Sequence, residues 1–270
     1  MVSSSTFTAT DGDAYERQMG RWSQRLAEAF LDFAGPAGDA ERILDLGCGT
    51  GSLTLALARR SATSRICGLD FSTAYVEYAR RRTSDPRVEF RVGDACAIPF
   101  PAASFDRVLS LLMLHFVPKA PTAVVEMRRV ARPGSVVAAA VWDARGGVVA
   151  QRIFLDTAAA LDPRADALRA RNCTRPMARP GELAAAWREA GLRDIREAAL
   201  TIRMDYADFK DFWAPYLGRQ GPAADYVAGL DPAALGLLRE HVRRAYLDGE
   251  PDGARSYAAT AWAVRGIAPA

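Results

Sequence analysis

The sequence predicts an α/β fold in which a mostly parallel sheet carries helices on both faces. Three observations lead there. Short apolar runs alternate with helical patterns from Arg42 to Asp143, the rhythm of strands joined by covering helices. The stretch ILDLGCGTGSLTLALARR, Ile43 to Arg60, passes from an apolar strand into a helix through a loop with glycines at alternate positions. Acids stand at the ends of three successive predicted strands, at Asp45, Asp70 and Asp94.

The elements follow in order. AYERQMGRWSQRLAEAFLDFA sets Trp22, Leu26, Ala29, Phe30 and Phe33 at helical spacing, which predicts an amphipathic N-terminal helical flap within residues 1–35. Strands are predicted over Arg42–Leu46, Ser64–Leu69, Val88–Val92, Phe105–Ser110 and Ser135–Trp142. Helices over Leu53–Arg60, Tyr75–Arg82 and Pro121–Ala131 fill the intervals, the last stopped by RPG. After Asp143 the rhythm changes. Gly147–Leu161 and Pro163–Asn172 read as helices inserted before RPGELAAAWREAGLRDIREAALTIRM, which returns to a helix, a stop at Gly191 and a strand of about ten residues. A second helical insertion spans Tyr206–Leu247, and SYAATAWAV alternates as a final strand from Ser256 to Val264. No internal repeat or low-complexity linker intervenes. The expectation is one domain over residues 1–270, with a ligand-binding core at 42–143 and a helical cap built from insertions at 144–180 and 206–250.

Composition narrows the function classes. Half of the 270 residues are hydrophobic, enough for a substantial core, and the net charge of +3 is spread along the chain without a basic patch that would mark nucleic-acid binding. Of the 35 basic residues only Lys119 and Lys210 are lysines, a bias that reads as genome composition. Cys48, Cys67, Cys96 and Cys173 form no close pair and meet no histidine cluster, which argues against a metal site and a disulfide framework and fits a reducing cytoplasm. The first residues lack a basic stretch followed by an apolar one, and no apolar run of about 18 residues occurs, so neither export nor a membrane span is expected.

In an open parallel sheet, ligands sit beyond the carboxyl ends of the strands. Gly47, Gly49 and Gly51 permit positive φ and close backbone approach there, and the helix that follows offers free N–H groups. The G-x-G-x-G spacing departs from the G-x-G-x-x-G of dinucleotide sites. Asp45, two residues before the first glycine, suits an ammonium group better than a diphosphate. Asp70 suits the two hydroxyls of a ribose, and Asp94 the exocyclic amine of an adenine. S-adenosylmethionine carries all three groups.

The motifs ILDLGCGTG, GLDFS, VGDACAIPFP followed by SFDRVLSLLMLHFV, and RRVARPGSVVAAAVWD resemble those of class I S-adenosylmethionine-dependent methyltransferases. The resemblance covers roughly residues 15–143 and points to the branch that includes the ubiquinone and menaquinone C-methyltransferases and many small-molecule enzymes. It implies a Rossmann-like seven-stranded sheet whose last strand is antiparallel. It also implies S-adenosylmethionine as cofactor, with Gly47, Gly49 and Gly51 beside the methionine moiety, Asp70 on the ribose, Asp94 with Ala95 on the adenine, over which Phe71 packs, and Asp45, Cys48 and Ser72 among the other cofactor-binding residues. Ser110 and Leu111 are implied beside the methionyl part through backbone groups.

Methyl transfer from a sulfonium is an in-line displacement from an already activated donor, so alignment and water exclusion carry much of the catalysis. A base is needed only when the acceptor must lose a proton, and the acceptor atom, nitrogen, oxygen or carbon, stays open. His115, after the fourth strand, is the candidate base or orienting group, whereas His241 reads as a helix-surface residue. Tyr15, Arg17 and Trp22 are candidates for a flap over the cofactor, and Trp142 with Asp143 ends the fifth strand toward the cleft. Phe209, Phe212, Trp213 and Tyr216 recur at helical spacing and would wall an apolar acceptor pocket if the second insertion forms a cap. A small organic acceptor is therefore the expected partner. Two other readings remain open: a protein that binds S-adenosylmethionine without methylating, and an NAD-dependent oxidoreductase, for which the third glycine position and a hydride-transfer constellation are missing.

Overall fold

The computed structural model describes residues 5–6, 11–218 and 221–270. Parts of the expected flap, at 1–4 and 7–10, and residues 219–220 of the second insertion lie outside them. The N-terminal region is helical: α1 (Gly12–Tyr15) passes through a π-helical turn at Glu16–Gly20 into α2 (Arg21–Ala34). The turn adds a wider loop of backbone where a uniform helix was expected, a feature often found beside functional sites. Trp22, Leu26, Ala27 and Phe30 of α2 are buried, and Gly35 at φ 87° ends the helix.

The glycine loop then connects β1 (Arg42–Leu46) to α3 (Ser52–Arg60). β2 (Arg65–Asp70) leads to α4 (Thr73–Arg81), capped by Ser72, whose hydroxyl accepts the Tyr75 N–H. β3 (Val88–Val92) and β4 (Phe105–Leu111) follow, then α5 (Ala120–Val130). β5 (Ala131–Trp142) begins four residues earlier than the sequence suggests. Its pairing with β4 slips between Phe105 and Arg107, and this irregularity accommodates Pro133, which has no N–H, and Gly134 at φ 81°. The first insertion is α6 (Val149–Leu161) and α7 (Pro163–Cys173), followed by α8 (Glu182–Glu189) and β6 (Arg193–Tyr206), longer than expected. The second insertion is broken into α9 (Phe209–Trp213), a 3-10 turn at Ala214–Leu217, α10 (Pro222–Ala228) and α11 (Pro232–Leu247), and β7 (Arg255–Ile267) closes the chain.

All seven strands form one sheet, ordered β3-β2-β1-β4-β5-β7-β6. The first five run parallel, and β7 lies antiparallel between β5 and β6. Chain order reverses between β1 and β4, which makes the carboxyl edge there the place where an open sheet leaves a crevice. Trp142 pairs with Ala261, and Tyr206 with Arg255, so β5 and β6 end at this same edge and both insertions start from it. On one face, α2 and α3 share a continuous core with the inserted helices, including Phe30, Leu53, Phe154, Phe212 and Val242. On the other, α5 and α8 pack through Val124, Met127, Leu183 and Trp187. None of the helices among the described residues is long and apolar enough to cross a membrane.

Candidate active site

The loop after β1 is held by its own backbone. Gly47 and Cys48 both donate to the Leu69 carbonyl, and Gly47, Gly49 and Gly51 all take positive φ (74°, 53° and 94°). The close approach is tightest at Gly47, where a Cβ would stand 2.2 Å from the Met113 Cγ. Asp70, the last residue of β2, accepts the Gly49 N–H through Oδ2 and the Ser72 N–H through Oδ1, both at 2.9 Å. Burial raises its carboxyl above the usual range despite these bonds, and it retains lone pairs toward the cleft that it lines.

That cleft, about 330 Å³, is lined by Gly47, Asp70, Phe71, Asp94, Ala95 and Met113, among others, with Ser5 at its rim. Thr6 holds the rim segment by donating its N–H to the Phe116 carbonyl at 2.9 Å. Asp94 caps its own turn by accepting the Cys96 N–H at 2.8 Å, and the Phe71 ring is 39% exposed. The remaining residues expected at the cofactor do not line this cleft. Cys48 packs against Val76 and Phe90, and its thiol is pushed well above its ordinary range by burial. Gly49, Gly51, Ser72, Ser110 and Leu111 support the wall without lining it. Ser110 Oγ is buried without a hydrogen-bond partner among the described residues.

Asp45 is wholly buried. Its Oδ2 accepts the Thr54 hydroxyl at 2.6 Å, and Oδ1 has no partner among the described residues. Burial raises the carboxyl to about 7, against the Thr54 hydrogen bonds, which lower it.

A second, larger cavity adjoins the cleft. The division between them is the chain after β4: Leu112 and Phe116 line the large cavity, whereas Met113 and Val117 line the cleft. Leu112 sits at φ 61°, uncommon for a branched residue, at the turn that sends consecutive side chains to opposite cavities. His115 lines the large cavity, is 1% exposed, and has no hydrogen bond to either ring nitrogen among the described residues. Burial, and secondarily the Arg175 charge, holds its pKa well below the ordinary 6.5, so the ring is neutral.

Tyr15, Trp22, Trp142 and Tyr216 also line the large cavity. Tyr216 stacks on Phe154 of α6 with centroids 3.9 Å apart, joining the two insertions. Phe209 and Trp213 do not line it. On α9 the two stack on each other, Phe209 toward Tyr246 and Trp213 beside the Phe154–Tyr216 pair, so both serve the core while Phe212 lines the cavity. Asp143 caps the turn after β5, accepting the Arg145 N–H, and is not part of the wall. His241 is half-buried on α11. At the π-helical turn, Glu16 accepts from the Thr50 hydroxyl at 2.5 Å and from Arg82 at 3.1 Å, tying the N-terminal helix to the glycine loop. Arg21 makes a bidentate pair with Asp211, tying it to α9.

Sequence reasoning missed Gln18, Gln151, Phe154, Asn172 and Arg175 of the large cavity. The arginine stands in NCTRPMARP between α7 and α8, with no local pattern to separate it from the other arginines.

The fold is a Rossmann-like one, a mostly parallel seven-stranded sheet with helices on both faces. Residues 44–139 match the family model described as a methyltransferase domain. Over 96 residues the chain is 36% identical to a fatty-acid O-methyltransferase of Mycolicibacterium smegmatis, covering 36% of this chain and 35% of that protein. It is 43% identical to a 2-phytyl-1,4-naphtoquinone methyltransferase of Thermosynechococcus vestitus over 93 residues, 34% of this chain and 41% of the relative. A demethylmenaquinone methyltransferase of Thermus thermophilus is 34% identical over 116 residues, 42% and 50% of the two chains. The chain thus spans between a third and a half of the length of these curated relatives. Among solved structures, a Haemonchus contortus phosphoethanolamine N-methyltransferase in complex with S-adenosyl-L-methionine superposes with a TM-score of 0.61 at 18% identity, covering 96% of this chain and 57% of that one. The YcgJ protein of Bacillus subtilis gives 0.58 at 18% identity, covering 93% and 99%. Over residues 44–139, about a third of its length, the chain is thus similar to methyltransferase domains.

Proposed function

We propose that this protein transfers a methyl group from S-adenosylmethionine to a small organic acceptor held in the large cavity. The observation that carries the reading is the shared wall: one short segment, Leu112 to Val117, sends Met113 and Val117 to a cleft that Asp70 lines, and Leu112, His115 and Phe116 to a larger, mainly apolar cavity. The residues of the cleft fit the cofactor. Asp70 offers free carboxylate lone pairs for ribose hydroxyls, the bare backbone at Gly47 admits close approach, and the exposed Phe71 ring can cover an adenine beside Asp94. Asp45, wholly buried and not among the residues that line the cleft, is left out of this fit.

S-adenosylmethionine supplies, when bound, a methyl group already activated on a sulfonium. The chain's own residues orient the acceptor and exclude water. The aromatic walls, closed by the inserted helices and by α2 through Arg21–Asp211, form the cap over the acceptor. The neutral His115 has one ring nitrogen able to accept a proton from an acceptor that must lose one. A fatty acid and a phytyl naphthoquinone, named in the relatives' descriptions, have apolar bodies of the kind such walls take. The test is calorimetric titration with S-adenosylhomocysteine and, separately, NADH, followed by labelled-methyl turnover over a panel of small acceptors. Binding of the first ligand alone and turnover on a panel member are expected. Binding of NADH in its place overturns the cofactor, and binding without any turnover reduces the protein to a cofactor-binding one.

A further inference from the structure

Among the described residues that line the large cavity, Arg175 is the one charged side chain. Among the described residues no Asp or Glu lines the cavity, and Arg175 has neither a carboxylate partner nor a hydrogen-bond acceptor. Its guanidinium lies 4.5 Å over the Phe116 ring, beside the segment that divides the two cavities. Burial lowers its pKa only to about 10, so it stays charged at neutral pH. The guanidinium is half-buried, with the Phe116 ring as its neighbour and its N–H groups unspent, and its planar fork of donors matches a carboxylate bidentately. His115 and Asn172 extend the polar corner. His115 has unused ring nitrogens, and Asn172, 5% exposed, spends one N–H on the Ala144 carbonyl and keeps its other amide valences. The rest of the lining is aromatic or aliphatic, with Trp22, Trp142, Phe154 and Tyr216 as its largest surfaces.

We infer that the acceptor is an amphipathic acid, an apolar or aromatic body bearing one carboxylate, and that Arg175 receives the carboxylate. The inference rests on the methyltransferase reading for the word acceptor, and on the cavity alone for the anion. A cationic amine is opposed by the guanidinium and finds no acid in the cavity to compensate it.

The test uses the full chain with S-adenosylhomocysteine present and two matched pairs, naphthoate against naphthamide and decanoate against decanamide, titrated calorimetrically. Each acid is expected to bind about ten- to a hundredfold tighter than its amide. Arg175→Gln is expected to abolish that preference while leaving amide and S-adenosylhomocysteine affinities within about twofold, and Arg175→Lys to keep part of it, because a point charge replaces a fork. Equal affinities of acid and amide, no measurable binding of either acid, or an acid preference that survives Arg175→Gln would overturn the assignment. Failure of the methyltransferase reading is separately visible: an acid preference without S-adenosylhomocysteine binding keeps the anion site and removes the transferase. Labelled-methyl turnover then reports how the acid is used, an ester if the carboxylate is methylated, a methylated free acid if it is an anchor. Either product supports the assignment.

Discussion

Asp45 should make the protein less stable as pH rises, opposite to the usual effect of a carboxylate. An exposed or ion-paired aspartate favours the folded state once ionised, but this one is fully buried, with a single hydroxyl partner and an orphaned oxygen. Its folded pKa of about 7 lies above the ordinary 3.8, so the folded state binds the extra proton between these values. Stability from this group is full below the lower value and is lost as pH climbs through the upper one. The interval corresponds to about 4 kcal/mol at full ionisation, an upper figure because solvent and small rearrangements soften the burial of a charge. Asp45→Asn keeps an oxygen for the Thr54 hydroxyl and removes the titration. Urea unfolding of both proteins from about pH 4 to 8 gives the difference curve, in which titrating groups remote from Asp45 cancel. The wild type should fall relative to the variant by up to about 1.4 kcal/mol per pH unit and level off above pH 7 or so. Parallel curves, or a wild type that gains on the variant with rising pH, would refute the buried and unpaired state of this carboxyl.

Three further perturbations test the site. Asp70→Asn should fold and weaken S-adenosylhomocysteine binding by about ten- to a hundredfold, the worth of lost charge-assisted hydrogen bonds, and an unchanged calorimetric affinity would remove the ribose from Asp70. Gly47→Ala combines an unfavourable positive φ with overlap on Met113, so it should lose about 1–3 kcal/mol in denaturant unfolding together with cofactor affinity. Adding Met113→Ala should return part of that stability, and a neutral Gly47→Ala would show that the loop has room to spare. In a His241→Gln background the one remaining imidazole should give an NMR signal that does not move between about pH 5.5 and 8, because burial and Arg175 keep His115 neutral. An inflection near 6.5 would mean that water reaches the ring. The same burial predicts that His115 lowers stability as pH drops below the ordinary histidine range, where the unfolded chain takes up a proton and the folded one does not.

Much of the fold was legible because its signals are local. The ranges of β1 and β3 coincide with the sequence expectation, and α3 and α4 begin within two residues of it, since strand period, helix period and stop residues act over a few positions. The acids at three strand ends were legible for the same reason, each closing an apolar run in its own segment. The misreadings arise where distant contacts override the local pattern. Ala131 to Gly134 looks like a helix stop, yet it joins β5 because β4 and β7 supply partners for its backbone. Phe209 and Trp213 keep the period of a wall but face the core, because on α9 they share a face other than that of Phe212, which lines the cavity.

By itself the sequence determined the order of strands and helices, the glycine loop and the carboxylates placed beside it, all properties of short stretches of chain. Only the tertiary structure decided that β7 slots between β5 and β6, that Asp45 is sealed away while Asp70 faces the cleft, and that Arg175 is left without an acid in a cavity walled by segments from Tyr15 to Ala223. The reason is physical. Burial and charge balance depend on which residues meet across the whole chain, and an arginine reads the same in sequence whether a carboxylate lies beside it or a ligand must supply one.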